Sequence, residues 1–146
     1  MKLGFALFVG ASLALSPVAA QTWASAGEGY RVQYDADLRS IARHRIGVKM
    51  WLRTTYKEPQ ESTTLHPTKF VRQTFQSTMA LHVFDCSERL MGTLQYVEYS
   101  GPDATGEMVA SGTFTSPIMS DVVPGSAGAT WLDGTCARAR KLKLVK

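Results

Sequence analysis

The stretch Val122–Cys136, VVPGSAGATWLDGTC, decides the architecture. Pro124-Gly125-Ser126 reads as a turn ending in a good N-cap, and it predicts a helix from Ser126 running through Cys136. Leu132 and Cys136 lie four apart on one face, with Gly128 a further turn back. Gly128 and Gly134 each cost an isolated helix about 1 kcal/mol, so this segment forms only against a surface that buries one of its faces.

That surface is a sheet, because the chain upstream reads mostly as strand. Val48, Met50 and Leu52 alternate with Lys49, Trp51 and Arg53, and Thr54-Thr55-Tyr56 extend the run with the period of a half-buried strand. Phe70–Ser77 and Met79–Cys86 read as strands or as one long bent strand. Leu90–Tyr99 is another, closed by the turn-rich SGPDATGE, and Met108–Phe114 is a shorter one. Tyr30–Tyr34 predicts a short strand, Leu38–Ala42 a turn of helix, and Lys57–Lys69, which holds two prolines, a polar loop. The expected fold is α+β, an antiparallel sheet with the C-terminal helix laid on one face.

The first 20 residues set the compartment. Lys2 precedes an uncharged run, Leu3–Leu15, and Ser16-Pro17 breaks it before the small residues Val18-Ala19-Ala20. This is the pattern of a secretory signal (residues 1–20), followed by one domain over 21–136 and a basic tail over 137–146. No second apolar segment follows, so no transmembrane span is expected. Export points to the periplasm or outer surface of a bacterium.

In an oxidising compartment, two cysteines in a small domain favour a disulfide, here between Cys86 and Cys136. A free nucleophilic thiol and a metal pair are the alternatives. His82 is four residues from Cys86, which in a strand separates them by roughly 13 Å along the chain. His44, His66 and His82 are scattered, without the spacing of a zinc site. No metal or other cofactor is expected. Asp85-Cys86-Ser87-Glu88 and the pair Asp35/Asp37 could seed a small hydrolase site, but neither brings a base, an elbow or a histidine partner, and the aspartates read as turn formers.

The net charge of +4 is misleading. Five basic residues, Arg138, Arg140, Lys141, Lys143 and Lys146, sit in the last ten positions, leaving a body with 10 basic and 12 acidic groups once Lys2 is removed. The sequence therefore carries no basic stripe for nucleic acid. A frayed, solvated terminus is the simplest reading of the tail, and contact of Arg138, Arg140, Lys141 and Lys143 with an anionic envelope surface is the functional one. Lys49, Trp51 and Arg53, an aromatic between two cations on the outer side of a strand, form a candidate ligand anchor, while a homodimer contact would account for Trp51 equally well.

Several segments in order resemble the surface-adhesin protein E-like domains of Gram-negative bacteria. They are Tyr34–Ile41, Val48–Gln60 with VKMW and YKEPQ, Phe84–Cys86 (FDC), Tyr99–Pro102 (YSGP), and V-x-P-G-S with a cysteine ten residues after the serine (Val122–Cys136). The resemblance implies an antiparallel sheet of about six strands, a C-terminal helix, a helix-to-sheet disulfide, no catalytic residues and no cofactor. It also implies adhesion to host matrix or serum proteins at the cell surface. The reading is thus a non-enzymatic exported binding module with a protein or envelope-surface partner. A periplasmic structural or assembly factor is the first alternative, and a small hydrolase the second.

Overall fold

The computed structural model describes residues 23–66 and 69–145, so the secretory signal expected over residues 1–20 lies outside the described residues. In chain order the elements are β1 (Trp23–Gly29), β2 (Val32–Asp37), β3 (Ala42–Arg43), β4 (Val48–His66), β5 (Lys69–Asp85), β6 (Leu90–Tyr99), β7 (Met108–Thr113), β8 (Ser120–Asp121) and the helix α1 (Ala127–Lys141). The strands form one antiparallel sheet, ordered β1-β2-β4-β5-β6-β7, with β3 added to β4 and β8 to β6. The expected α+β arrangement of about six strands with a C-terminal helix on the sheet is what forms.

Alternation in β4 sends Val48, Met50 and Leu52 to the helix side, where they pair with Phe84, His82 and Ala80 of β5. Val48, Met50, Leu52 and Phe84 meet Leu132, Cys136 and Ala139 of α1, together with Ala36 of β2 and Ile41, in one core. Leu132 is 1% exposed, a burial contributing about 1.5–3 kcal/mol. Ser126 caps the helix as expected, its hydroxyl accepting the Ala129 N–H at 3.2 Å. Cys86, one residue beyond β5, is bonded to Cys136 and ties the helix to a central strand. Gly47, just before β4, lies so close to β5 that a Cβ there would stand 2.2 Å from the Phe84 carbonyl oxygen.

Three local expectations change. The described part of Lys57–Lys69 is strand and not loop: Gln60–His66 and Lys69–Phe75 pair with each other, extending β4 and β5 into a two-stranded arm, while residues 67 and 68 lie outside the described residues. Pro59 is accommodated because the register breaks between Thr55 and Gln60, where Pro59 owes no ladder hydrogen bond. Leu38–Ala42 is not helical: Asp37 turns the chain by accepting the Arg39 N–H on its carboxylate at 3.1 Å and the Ser40 hydroxyl on its carbonyl at 2.7 Å. The expected Tyr30–Tyr34 strand begins at Val32 and continues to Asp37, and it pairs with β1, a strand with no apolar alternation of its own. Tyr30 and Arg31 form the turn between them, Arg31 with a φ of 61°.

The C-terminal end is ordered rather than frayed. The helix continues five residues past Cys136 to Lys141, and Ala139 is fully buried on its inner face. Its last carbonyls are met by the Leu142 and Leu144 N–H groups, and Leu144 and Val145 pack against the core. Arg43 donates to the Lys143 carbonyl at 2.6 Å. Arg138, Arg140 and Lys141 thus occupy the last turns of a helix, where its dipole favours positive charge.

Candidate binding site

Lys49, Trp51 and Arg53 lie on the sheet face away from α1, as the alternation requires. They do not act as one aromatic flanked by two free cations. Arg53 donates to Asp35 Oδ2 at 2.8 Å, with side-chain exposures of 15% and 6%, and also approaches Asp103 at 3.5 Å. Its guanidinium sits 4.9 Å from the centre of the Trp23 ring. The pair holds β2 to β4, since Asp35 and Arg53 are direct register partners. Asp35 is therefore a buried ion-pair partner within a strand and not a turn former. Trp51 is half-buried, and its backbone N–H donates to Ser40 Oγ at 2.9 Å.

The Asp85–Glu88 segment is likewise occupied. Asp85 Oδ1 accepts the Ser87 N–H and hydroxyl and the Glu88 N–H, at 2.9, 2.7 and 3.1 Å. These bonds hold the Asp85 carboxyl below the usual carboxylate range, the Ser87 hydroxyl contributing most. The arrangement is a tight turn beside the disulfide. No group of three or more His, Cys, Asp or Glu side chains that could hold a metal ion occurs among the described residues.

A different site lies on the helix side of the sheet, where α1 stops short of covering it. Two rows of partners cross the strands there: Ala36–Leu52–Ala80–Tyr96–Gly112 and Tyr34–Thr54–Thr78–Glu98–Ala110. Thr54, Thr78 and Ala80 are small and form a low floor, leaving an open trough of about 540 Å³. Larger aromatic groups border it. Trp131 of α1 meets Tyr34 edge-on at 4.9 Å, Tyr56 meets Phe75 edge-on at 5.7 Å, and Tyr96 stacks with Phe114 at 6.1 Å. Tyr96 lies over Gly112, where a Cβ would stand 2.5 Å from its ring.

The polar groups of the trough are few and distinct. His82 is largely buried beside Trp131, 6.0 Å between ring centres, and its Nδ1 is 3.2 Å from Thr93 Oγ1. Burial pushes its pKa down to about 4 against a smaller opposing effect of the Gly92 backbone, so the ring is neutral at neutral pH. The Tyr56 phenol is pushed above its ordinary value by burial first, then by Tyr34 and Glu98. Glu98 Oε2 and Trp131 Nε1 are both buried without a hydrogen-bond partner among the described residues. Aromatic walls around unmet polar atoms suit binding.

No single segment announces this site. Its members come from β2, β4, β5, β6 and α1, and only the sheet register sets Tyr34, Thr54, Thr78 and Glu98 side by side. One signal was present: Tyr34, Tyr56 and Tyr96 share the inner parity of Met50 and Leu52, so three amphipathic aromatics stand where a closed core would place aliphatic residues.

No curated protein matches the chain. The crystal structure of Haemophilus influenzae protein E (crystal form II) has the same fold, with a TM-score of 0.53 and 13% identity over 71% of this chain and 80% of that one. Residues 23–137 match the surface-adhesin protein E family, from the first residue of β1 to one residue past the bridged Cys136. The chain belongs to the surface-adhesin protein E family.

Proposed function

We propose that this protein is an exported, non-enzymatic binding module that works at the bacterial surface and attaches to host or matrix proteins. The observation that carries this reading is the family match over residues 23–137, which takes in the whole sheet and the disulfide. The open aromatic trough supports it, since it offers a ready contact surface on a rigid sheet stapled to its helix. The Lys49–Trp51–Arg53 face supports it less, because Arg53 is committed to Asp35.

Cell fractionation followed by protease treatment of intact cells tests the surface role. Digestion of the protein on intact cells, with capture of soluble matrix proteins by the same cells, is the expected result. Protection until the outer membrane is breached would overturn it. That second outcome would favour a periplasmic role in which Arg138, Arg140, Lys141 and Lys143 contact an anionic envelope surface. The ordered helical end that presents the first three of these cations is the observation in its favour.

A further inference from the structure

The trough of the adhesin-type module contains an unanswered charge. Glu98 is the only acidic group lining it, and the lining residues include no Lys or Arg. The salt bridges of the described residues join Arg31 to Glu58, Arg53 to Asp35 and Asp103, Arg72 to Glu61, and Arg89 to Asp133, and Glu98 takes part in none. One of its oxygens is buried with no donor. A carboxylate oxygen desolvated without a hydrogen bond opposes folding. A threonine or glutamine here would fold at least as well, for Glu98 stands in a row with Thr54 and Thr78 and bonds to neither. Its placement makes sense as half of a contact whose other half arrives from outside.

The surroundings specify that other half. Tyr96 is two residues away on the same strand face, and the carboxylate lies close enough to Tyr56 to raise its phenol. Ring faces carry negative potential and attract cations, more strongly where water is excluded. His82, the remaining titratable nitrogen of the trough, adds no positive charge at neutral pH because burial keeps it neutral. We propose that the trough receives the cationic side chain of a lysine or arginine from a partner protein, with Glu98 as its counter-charge and the rings of Tyr56 and Tyr96 beside it. The inference deepens the reading of the protein as a protein-binding module and rests on it for the class of partner.

The test uses the ¹⁵N-labelled full chain and three short peptides, acetylated and amidated, of the form Gly-Gly-X-Gly-Gly with X as arginine, glutamine or norleucine. The arginine peptide is expected to move the Trp131 indole and Glu98 amide resonances saturably with a millimolar Kd, and at least about five-fold more tightly than the other two. Glu98→Gln should weaken it about ten-fold without lowering Tm, and Tyr56→Leu about three-fold as an independent variant. Equal titration by all three peptides, no movement up to about 20 mM, or an unchanged Kd in Glu98→Gln would each overturn the proposal. So would tighter binding of a neutral oligosaccharide such as maltotriose, which would identify the rings as a sugar platform.

Matrix capture by intact cells separates this inference from the function it rests on. Peptide binding without capture would leave the cation site standing and remove the adhesive role. Capture that is unaffected by Glu98→Gln would keep the role and remove the site.

Discussion

The neutral state of His82 makes the fold acid-sensitive between the pKa of the unfolded ring and that of the folded one. The ring is largely buried between Trp131, Phe84 and Thr93, and burial depresses its pKa from 6.5 to about 4. The unfolded chain therefore takes up a proton near pH 6.5, whereas the folded chain does so only near pH 4. Between those values the unfolded state binds more protons, so stability falls as the pH falls. The full difference of about 2.5 pH units corresponds to roughly 3 kcal/mol lost between pH 7.5 and pH 4. That is on the order of 10 °C in Tm for a domain of this size. Asp85 and Asp133, whose pKa values are also lowered, lose their contribution below pH 4, outside this window. Thermal unfolding followed by circular dichroism from pH 7.5 to pH 4 measures the loss. His82→Asn keeps an acceptor near the position of Nδ1 and removes the titration, so it should be less stable at pH 7.5 and lose less stability across the window, keeping the slope left by His44, whose pKa is also lowered by partial burial and then by Arg45 and Lys49. If wild type and variant lose stability in parallel, His82 is not buried as a neutral ring and the reasoning fails.

Other perturbations have expected sizes. Replacing both bridged cysteines by alanine should lower stability by up to about 4 kcal/mol in urea unfolding, because the closed loop spans 50 positions. Arg53→Met should cost about 3–5 kcal/mol, since it strands Asp35, and Asp35→Asn in the same chain should recover a good part of that in a double-mutant cycle. Gly47→Ala should destabilise by more than about 2 kcal/mol and broaden the amide signals of β5, because its Cβ would collide with the Phe84 carbonyl. Deleting residues 137–146 should lower Tm and not merely the net charge, since Ala139 is buried and Leu144 and Val145 pack on the core. An unchanged Tm after that deletion would mean that these contacts contribute nothing.

Elements whose own side chains bury a face could be read from the chain, and those held by a neighbour's backbone could not. β4 announces itself through Val48, Met50 and Leu52, β6 through Leu90–Tyr99, and α1 through the Ser126 cap with Leu132 and Cys136 on one face. β1 reads WASAGEG, with three small residues and two glycines and no apolar alternation, and it is a strand because β2 lies beside it with unmet backbone groups. The arm past Thr55 was hidden by Pro59, whose lack of a donor argues against a strand unless the register skips it. The end of α1 was hidden by charge: five cations in ten residues read as solvated tail, but their spacing leaves Ala139 and Leu144 free to turn inward.

The site was the least readable part, for a geometric reason. A helix covers a stripe, not a sheet, and α1 lies over the half of the inner face that carries Val48, Met50 and Phe84. Beyond Trp131 the same face must still be apolar enough to fold and polar enough to meet water, which tyrosine and threonine satisfy and leucine does not. Tyr34, Thr54, Tyr56, Thr78 and Tyr96 follow from that requirement alone, without any ligand. Glu98 does not, because a charge with one buried, unpartnered oxygen serves neither solubility nor packing. The trough as a surface is thus a consequence of a helix shorter than its sheet, and the carboxylate within it is not accounted for by that geometry.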